Sequence, residues 1–134
     1  DRGEVKAFPG TIRLIRESAQ ALPIAVCSGA ARIEIERILE RFELLDLFRH
    51  IVTADDVEQA KPDPAGYRMT AEKLGVAPAN CVTIEDTPTG LTAAKSAGLK
   101  VVGVCHSVSA AEMSRADLVV ESSEQITMDM LRSV

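Results

Sequence analysis

The sequence has no tryptophan, one tyrosine and three phenylalanines, so aromatics make up 3% of its 134 residues. Its core must therefore be aliphatic and alanine-rich, which suits helices packed closely on a sheet. No apolar run approaches the roughly 18 residues of a membrane span, and no signal peptide is recognisable, so the expectation is a cytoplasmic protein with no membrane partner. Cysteine is sparse and odd in number: Cys27, Cys81 and Cys105. With no CxxC and no Cys/His spacing, zinc is not indicated. Each thiol lies in or at the end of an apolar run, as free thiols do in a reducing compartment. Basic residues number 15 against 20 acidic ones, for a formal net charge of −5, and no Lys/Arg cluster offsets this; nucleic acid is not expected as a partner. There is no internal repeat and no low-complexity segment.

What is present fits one α/β domain. A chain of this length buries roughly two-thirds of its unfolded surface, enough for a core without disulfides or metal staples. Asp1 to Ala7 is charged and unpatterned, and reads as a linker. Phe8-Pro9-Gly10 opens a helix, with Pro near the first turn, whose apolar residues are Ile12, Ile15, Ala19 and Leu22; Pro23 ends it. Ile24 to Cys27 reads as a buried strand ended by Ser28-Gly29. Ile35, Ile38, Leu39 and Phe42 fall at helical spacing. After a turn at Leu44 to Phe48 comes a short strand, Ile51 to Thr53. A loop, Asp55 to Pro64, leads to a helix through Tyr67, Ala71 and Leu74, with Gly75 at its C-cap. Cys81 to Ile84 reads as a fully buried strand, short, β-branched and uncharged. A small-residue helix, Leu91 to Ala97, ends at Gly98. Lys100 to Val104 and Asp117 to Val120 read as strands, Ser109 to Arg115 as a short helix and Ile126 to Leu131 as the closing helix. Strands and helices alternate throughout, which predicts a Rossmann-like, doubly wound parallel sheet with helices on both faces.

Three strand ends and loops carry chemistry. Ser28-Gly29 offers a hydroxyl and backbone N–H groups to an anion; the alternative is a plain Ser N-cap. Lys61 stands in Lys61-Pro62-Asp63-Pro64, where the prolines stiffen the loop and direct the ammonium, although most loop lysines are simply solvated. Glu85 and Asp86 follow a strand at its carboxyl end, where open α/β sheets bind ligands. Adjacent acids there suit a hard cation such as Mg²⁺, or else they cap the next helix. A hydroxyl, an ammonium and an acid pair at successive strand ends form a phosphoryl-transfer constellation. His50 and His106 read as structural or surface residues, with His106 near enough to a strand end to approach a site.

Ile24-Ala25-Val26-Cys27-Ser28-Gly29, Lys61-Pro62-Asp63-Pro64, Ile84-Glu85-Asp86-Thr87, Gly90-Leu91, Ala93-Ala94 and Ala97-Gly98 together resemble the haloacid dehalogenase superfamily of hydrolases, in its phosphoglycolate-phosphatase and β-phosphoglucomutase-like branch. The resemblance runs from about Phe8 to the C-terminus. It implies that Ser28 and Gly29 bind phosphoryl oxygens, that Lys61 steadies phosphate and nucleophile, and that Glu85 and Asp86 hold Mg²⁺. Thr87 stands where the family often has Ser, and Thr89 and Gly90 would lie near the rim of the site. The implied reaction is Mg²⁺-dependent hydrolysis of a small phosphorylated metabolite through a phospho-aspartate, with a phosphomutase as the alternative. The segment Cys27-Ser28-Gly29-Ala30 resembles the phosphatases more than the Ser-rich loop of the mutases.

One part of the family pattern has no match. The nucleophile belongs to an Asp-x-Asp-Gly-type motif after an apolar strand. Asp1 is followed by Arg-Gly-Glu, and Asp55, Asp56 and Asp63 lie elsewhere. The helical cap that selects substrate is also without a counterpart. Residues 1–134 are thus expected to form a partial core domain, inactive alone, within a longer parent. In the family the nucleophile strand lies between the strand ending at Ser28 and the one ending at Asp86. Strands lie about 4.8 Å apart, so without it a gap of roughly 9–10 Å is expected. Unpaired backbone groups facing it would cost about 1–3 kcal/mol each if buried. A missing N-terminal segment, a second copy or a collapse of the two strands would have to close it. A catalytically dead domain that holds phosphate or Mg²⁺ is the competing reading. A phospho-accepting receiver domain would need an acid cluster near an early strand, and none is present.

Overall fold

The computed structural model describes residues 9–106 and 108–134. The segment Asp1 to Ala7, read as a linker, and Phe8 lie outside the described residues. Among the described residues, five α-helices and five strands follow in chain order, alternating up to β4, which only a one-turn 3-10 helix separates from β5: α1 (Pro9–Ala21), β1 (Ala25–Cys27), α2 (Arg32–Arg41), β2 (His50–Val52), α3 (Ala65–Leu74), β3 (Val82–Glu85), α4 (Pro88–Ala97), β4 (Lys100–Val104), β5 (Leu118–Val120) and α5 (Met128–Ser133). One-turn 3-10 helices fill several of the connections. The strand pairs among the described residues are all parallel, each joined by a crossover connection. The boundaries read from the sequence hold to within a few residues. The largest shift is at α4, which starts at Pro88 rather than Leu91, because Thr87 caps it and Pro88 occupies the first helical position.

The strands form two sheets instead of one. β1 pairs with β2, and β3, β4 and β5 form a second sheet in that order. Among the described residues no ladder joins β1 to β3. These are the two strands between which the gap was expected, and they have not collapsed onto each other.

This split corrects the expected burial. Cys81 to Ile84 is not a fully buried strand. In β3, Val82 and Thr83 are half-buried and Ile84 is 40% exposed, while Glu85, the charged residue, is 8% exposed. Among the described residues strand β3 pairs on one side only, with β4, so its apolar side chains have no strand neighbour there on the other side. β1 is half-buried along its length for the same reason. β4 lies between two strands and under helices, and Val101, Val102 and Val104 are at most 2% exposed.

The core divides over the two faces of the larger sheet. On one, Leu91, Ala93 and Ala94 of α4 pack with Tyr67 of α3, Val101 and Met113. On the other, Leu14 of α1 packs with Val102, Val104, Val120 and Ile126. The alanines of α4 keep that helix close to β3 and β4. Gly98 closes α4 at φ 92°, where a side chain would be strained, and so returns the chain directly into β4. Helix α3 contacts β1, β2 and α4, and so spans the two sheets. Among the described residues no helix is long and apolar enough to cross a membrane.

Candidate active site

Lys61 joins the two sheets. Its loop ends in Asp63, whose Oδ1 accepts from the Ala65 N–H at 2.9 Å and starts α3. The Lys61–Pro62 peptide is cis. The ammonium donates to the backbone carbonyl of Cys27, at the end of β1, at 3.2 Å, and to Glu85 Oε2, at the end of β3, at 2.8 Å. It also lies 3.4 Å from the Tyr67 hydroxyl and 4.8 Å from the centre of its ring. The Lys61 and Glu85 side chains are 20% and 9% exposed, so the pair is largely withdrawn from water, and breaking it would leave a buried charge.

Glu85 is enclosed. Tyr67 donates its hydroxyl proton to Glu85 Oε2. On the opposite side lies Gly90, in the first turn of α4. A Cβ built there would overlap the Glu85 carboxylate, so the absence of a side chain at Gly90 is what lets the helix pass this close to a buried acid. Gly90 is therefore buried beneath Glu85 and does not lie at a rim; Thr89 beside it is exposed. The helix-capping alternative for the acid pair is not realised: Thr87 caps α4, its Oγ1 accepting from the Gly90 N–H at 3.1 Å. Asp86 is exposed, and among the described residues no hydrogen bond or ion pair engages its carboxylate.

Ser28 follows β1, and its N–H continues the β1–β2 ladder to the Val52 carbonyl at 2.9 Å. Its Oγ accepts from the Ala30 N–H at 3.1 Å, which leaves the hydroxyl proton to donate. Ser28 is not the N-cap of α2. Ala31 holds that position without a side-chain bond, and the Arg32 N–H is taken by Asp55 from the next loop at 2.9 Å. That loop is tied down by Asp56, whose Oδ2 accepts from the Thr53 N–H at 2.8 Å and from Arg32 Nη2 at 2.6 Å. These bonds, the Thr53 N–H foremost, hold the Asp56 carboxyl below the usual range against the opposing effect of burial. Ser28, Gly29 and Lys61 line one cavity with Thr53 and Gly66, of about 20 Å³. That is room for a water and not for a metabolite.

The structure thus brings Ser28, Gly29 and Lys61 to one cavity and couples Lys61 to Glu85. Asp86 follows Glu85 in the chain but does not line that cavity. His106 Nε2 accepts from the Ser123 N–H at 3.3 Å. Cys27, Cys81 and Cys105 are all free. Burial pushes the Cys27 thiol up, with Lys61 opposing, and burial raises Cys81 too. Sequence reasoning missed Tyr67, which it used only as one residue on an apolar helix face. Its signal was position: the one tyrosine of an aromatic-poor chain, in the first turn after a rigid lysine loop. It also passed over Asp55 and Asp56, although Thr53-x-x-Asp56 has the spacing of a capping box.

A model of the haloacid dehalogenase-like hydrolase family matches residues 1–104, starting before the Phe8 from which the resemblance was drawn. The β-phosphoglucomutase of Bacillus subtilis is 39% identical over 92% of this chain, and hexitol phosphatase A of Escherichia coli is 33% identical over 92%. The structure of CbbY from Rhodobacter sphaeroides in complex with phosphate superimposes with a TM-score of 0.86 at 29% identity, over 98% of this chain and 61% of that one. The chain spans about half the length of these curated relatives, 53% of the mutase and 57% of the phosphatase. The relatives divide between phosphatases and phosphomutases, the branch indicated by the strand-end motifs, and with the match over most of its length the chain belongs to the haloacid dehalogenase-like hydrolase family.

Proposed function

We propose that this chain carries the phosphate- and cation-handling half of a phosphoryl-transfer site whose parent hydrolyses a small phosphorylated metabolite. One observation carries the reading: a single ammonium, Lys61, touches the ends of β1 and β3 and lines the same cavity as Ser28 and Gly29. In this reading Ser28 donates its hydroxyl proton to a phosphoryl oxygen. The N–H of Gly29, exposed and with no partner among the described residues, adds a second donor. Lys61, held by Glu85, places positive charge where negative charge develops during transfer. Hydrolysis is preferred to mutase action because Cys27-Ser28-Gly29-Ala30 lacks a Ser-rich loop.

The acid pair fits Mg²⁺ in its donor chemistry. Asp86 is the open carboxylate, while Glu85 has Oε2 committed to Lys61 and Tyr67 and Oε1 against Gly90, so Asp86 is the principal donor. Among the described residues no three His, Cys, Asp or Glu side chains gather as a metal site. Mg²⁺ keeps several waters and takes one or two carboxylates. Asp86, with Glu85, would hold the ion, and its charge would offset that of the phosphoryl oxygens when bound. We further propose that residues 1–134 are a partial core domain. An added strand, from a longer parent or a second copy, would lie between β1 and β3 and carry the aspartate nucleophile; a cytoplasmic location accords with the free thiols.

The split between β1 and β3, with no Asp-x-Asp motif in the chain, favours a second reading, in which the domain binds phosphate without turning it over. Phosphate binding by ³¹P NMR on wild type, Ser28→Ala and Lys61→Ala, together with p-nitrophenyl phosphate turnover with Mg²⁺ by this chain and by the full gene product, tests both. Binding lost in the two variants, with turnover only by the full product, is the expected result. Binding that ignores both substitutions overturns the site. Binding without turnover in the full product establishes the second reading.

A further inference from the structure

Lys61 has three N–H protons and three acceptors around it: the Cys27 carbonyl, Glu85 Oε2 and the Tyr67 hydroxyl, at 3.2, 2.8 and 3.4 Å. Tyr67 is the member of this group that nothing in the family pattern or the proposed reaction uses. It is 3% exposed. Its hydroxyl is engaged three ways: it donates to Glu85 Oε2, accepts from Thr83 Oγ1 at 3.2 Å, and faces the ammonium. Its ring lies under the ammonium at cation–π distance.

We propose that Tyr67 is a positioning residue for Lys61: its hydroxyl locks the Glu85 carboxylate against Gly90, and the locked carboxylate and the ring face together fix the direction of the ammonium. Two features single it out from an ordinary core aromatic. The Glu85 carboxylate is confined on one side by the backbone of Gly90 and on another by the Tyr67 hydroxyl, so it has one placement. The donor into the hydroxyl, Thr83, leaves the phenol proton directed at Glu85 and nowhere else. The claim that this positioning serves phosphate rests on the function proposed above. The positioning itself does not.

The test separates the two. Tyr67→Phe keeps the ring and removes the hydroxyl. Solvent exchange of the Lys61 ammonium protons, read by ¹H–¹⁵N NMR and assigned with Lys61→Arg, reports how firmly the ammonium is held. Exchange should accelerate about fivefold, the factor one net hydrogen bond carries. Ala71→Gly, on the same helix and buried, is the control for general loosening and should leave Lys61 exchange unchanged. Should Tyr67→Phe fail to fold, Thr83→Val makes the same test from the other side of the hydroxyl, with a smaller acceleration. Unchanged exchange in the folded variant, or equal acceleration in Ala71→Gly, overturns the proposal. Inorganic phosphate binding is measured in parallel. A Lys61-dependent affinity that weakens about fivefold in Tyr67→Phe ties the positioning to phosphate. Lys61-dependent affinity that Tyr67→Phe leaves unchanged overturns that tie, while wild type with no Lys61-dependent binding overturns the proposed function and leaves the exchange arm to decide the role of Tyr67.

Discussion

Replacing Gly90 with alanine sets two effects of opposite sign against each other. Alanine is the better helix former by up to about 1 kcal/mol, less in a first turn, and α4 begins only two residues before Gly90. On that ground alone the variant would be more stable. The new Cβ, however, falls on the Glu85 carboxylate. The carboxylate cannot swing into water without leaving the Tyr67 hydroxyl and Lys61. Loss of the Tyr67 bond costs about 1 kcal/mol net. Loosening the ion pair costs between the ~1 kcal/mol of exposed pairs and the ~3 kcal/mol or more of buried ones. If instead the helix yields, overpacking costs about 1–3 kcal/mol. By either route the clash wins, and Gly90→Ala should be destabilised by about 2 kcal/mol, a urea midpoint lower by about 1 M for a slope typical of this size. The double variant Glu85→Ala/Gly90→Ala isolates the cause: with the carboxylate gone the methyl has room, and adding it should be neutral or favourable. A midpoint equal to or above wild type for Gly90→Ala alone, or the same penalty in both backgrounds, refutes the reasoning.

Three further outcomes follow from the same geometry. Tyr67, the sole tyrosine, is held protonated by burial and by Glu85. Its folded-state pKa lies above the unfolded value of about 10, so its contribution is complete below that pH and lost as pH rises beyond it. Phenolate absorbance should therefore appear only with unfolding; a reversible titration near pH 10 with intact far-UV circular dichroism would contradict the burial. Asp117 is pushed up by burial but pulled further down by Lys95 and the Val101 N–H, and Asp56 is pulled down chiefly by the Thr53 N–H. Both contributions are present above the unfolded carboxylate pKa of about 3.9 and are lost as pH falls through the lower folded values. Asp56→Asn and Asp117→Asn should each flatten the decline of stability below about pH 4, and an acid limb identical to wild type would remove these carboxylates from the account. Asp86→Asn, at an exposed carboxylate with no partner among the described residues, should leave the unfolding free energy within about 0.5 kcal/mol of wild type while weakening Mg²⁺ binding followed by calorimetry. A large loss of stability with unchanged Mg²⁺ affinity would reverse that assignment.

Local signals in the chain account for most of the fold. Gly75 and Gly98 close their helices, Thr87-Pro88 opens one, and the β-branched run at Lys100 to Val104 is a central strand. Each depends on backbone preferences and on spacing within a few residues, which a linear pattern records. Burial was read less well. Val82, Thr83 and Ile84 look like interior strand residues by composition, yet they are partly exposed where β3 has, among the described residues, no strand neighbour on one side. Composition reports what a residue would prefer to touch and not whether anything is there.

The sequence by itself determined that this is an alternating α/β chain of the haloacid dehalogenase-like hydrolase family, with a hydroxyl, an ammonium and an acid pair in that order, because short-range turn chemistry and periodicity are written residue by residue. Only the tertiary structure decided that the ammonium of Lys61 locks onto Glu85, that Tyr67 and Gly90 box that carboxylate in, that Asp86 alone of the acid pair is left open, and that the sheet divides between β1 and β3. Those outcomes depend on which surfaces meet across tens of residues, and a partner at that range sets charge state, exposure and direction more strongly than any preference of the residue itself.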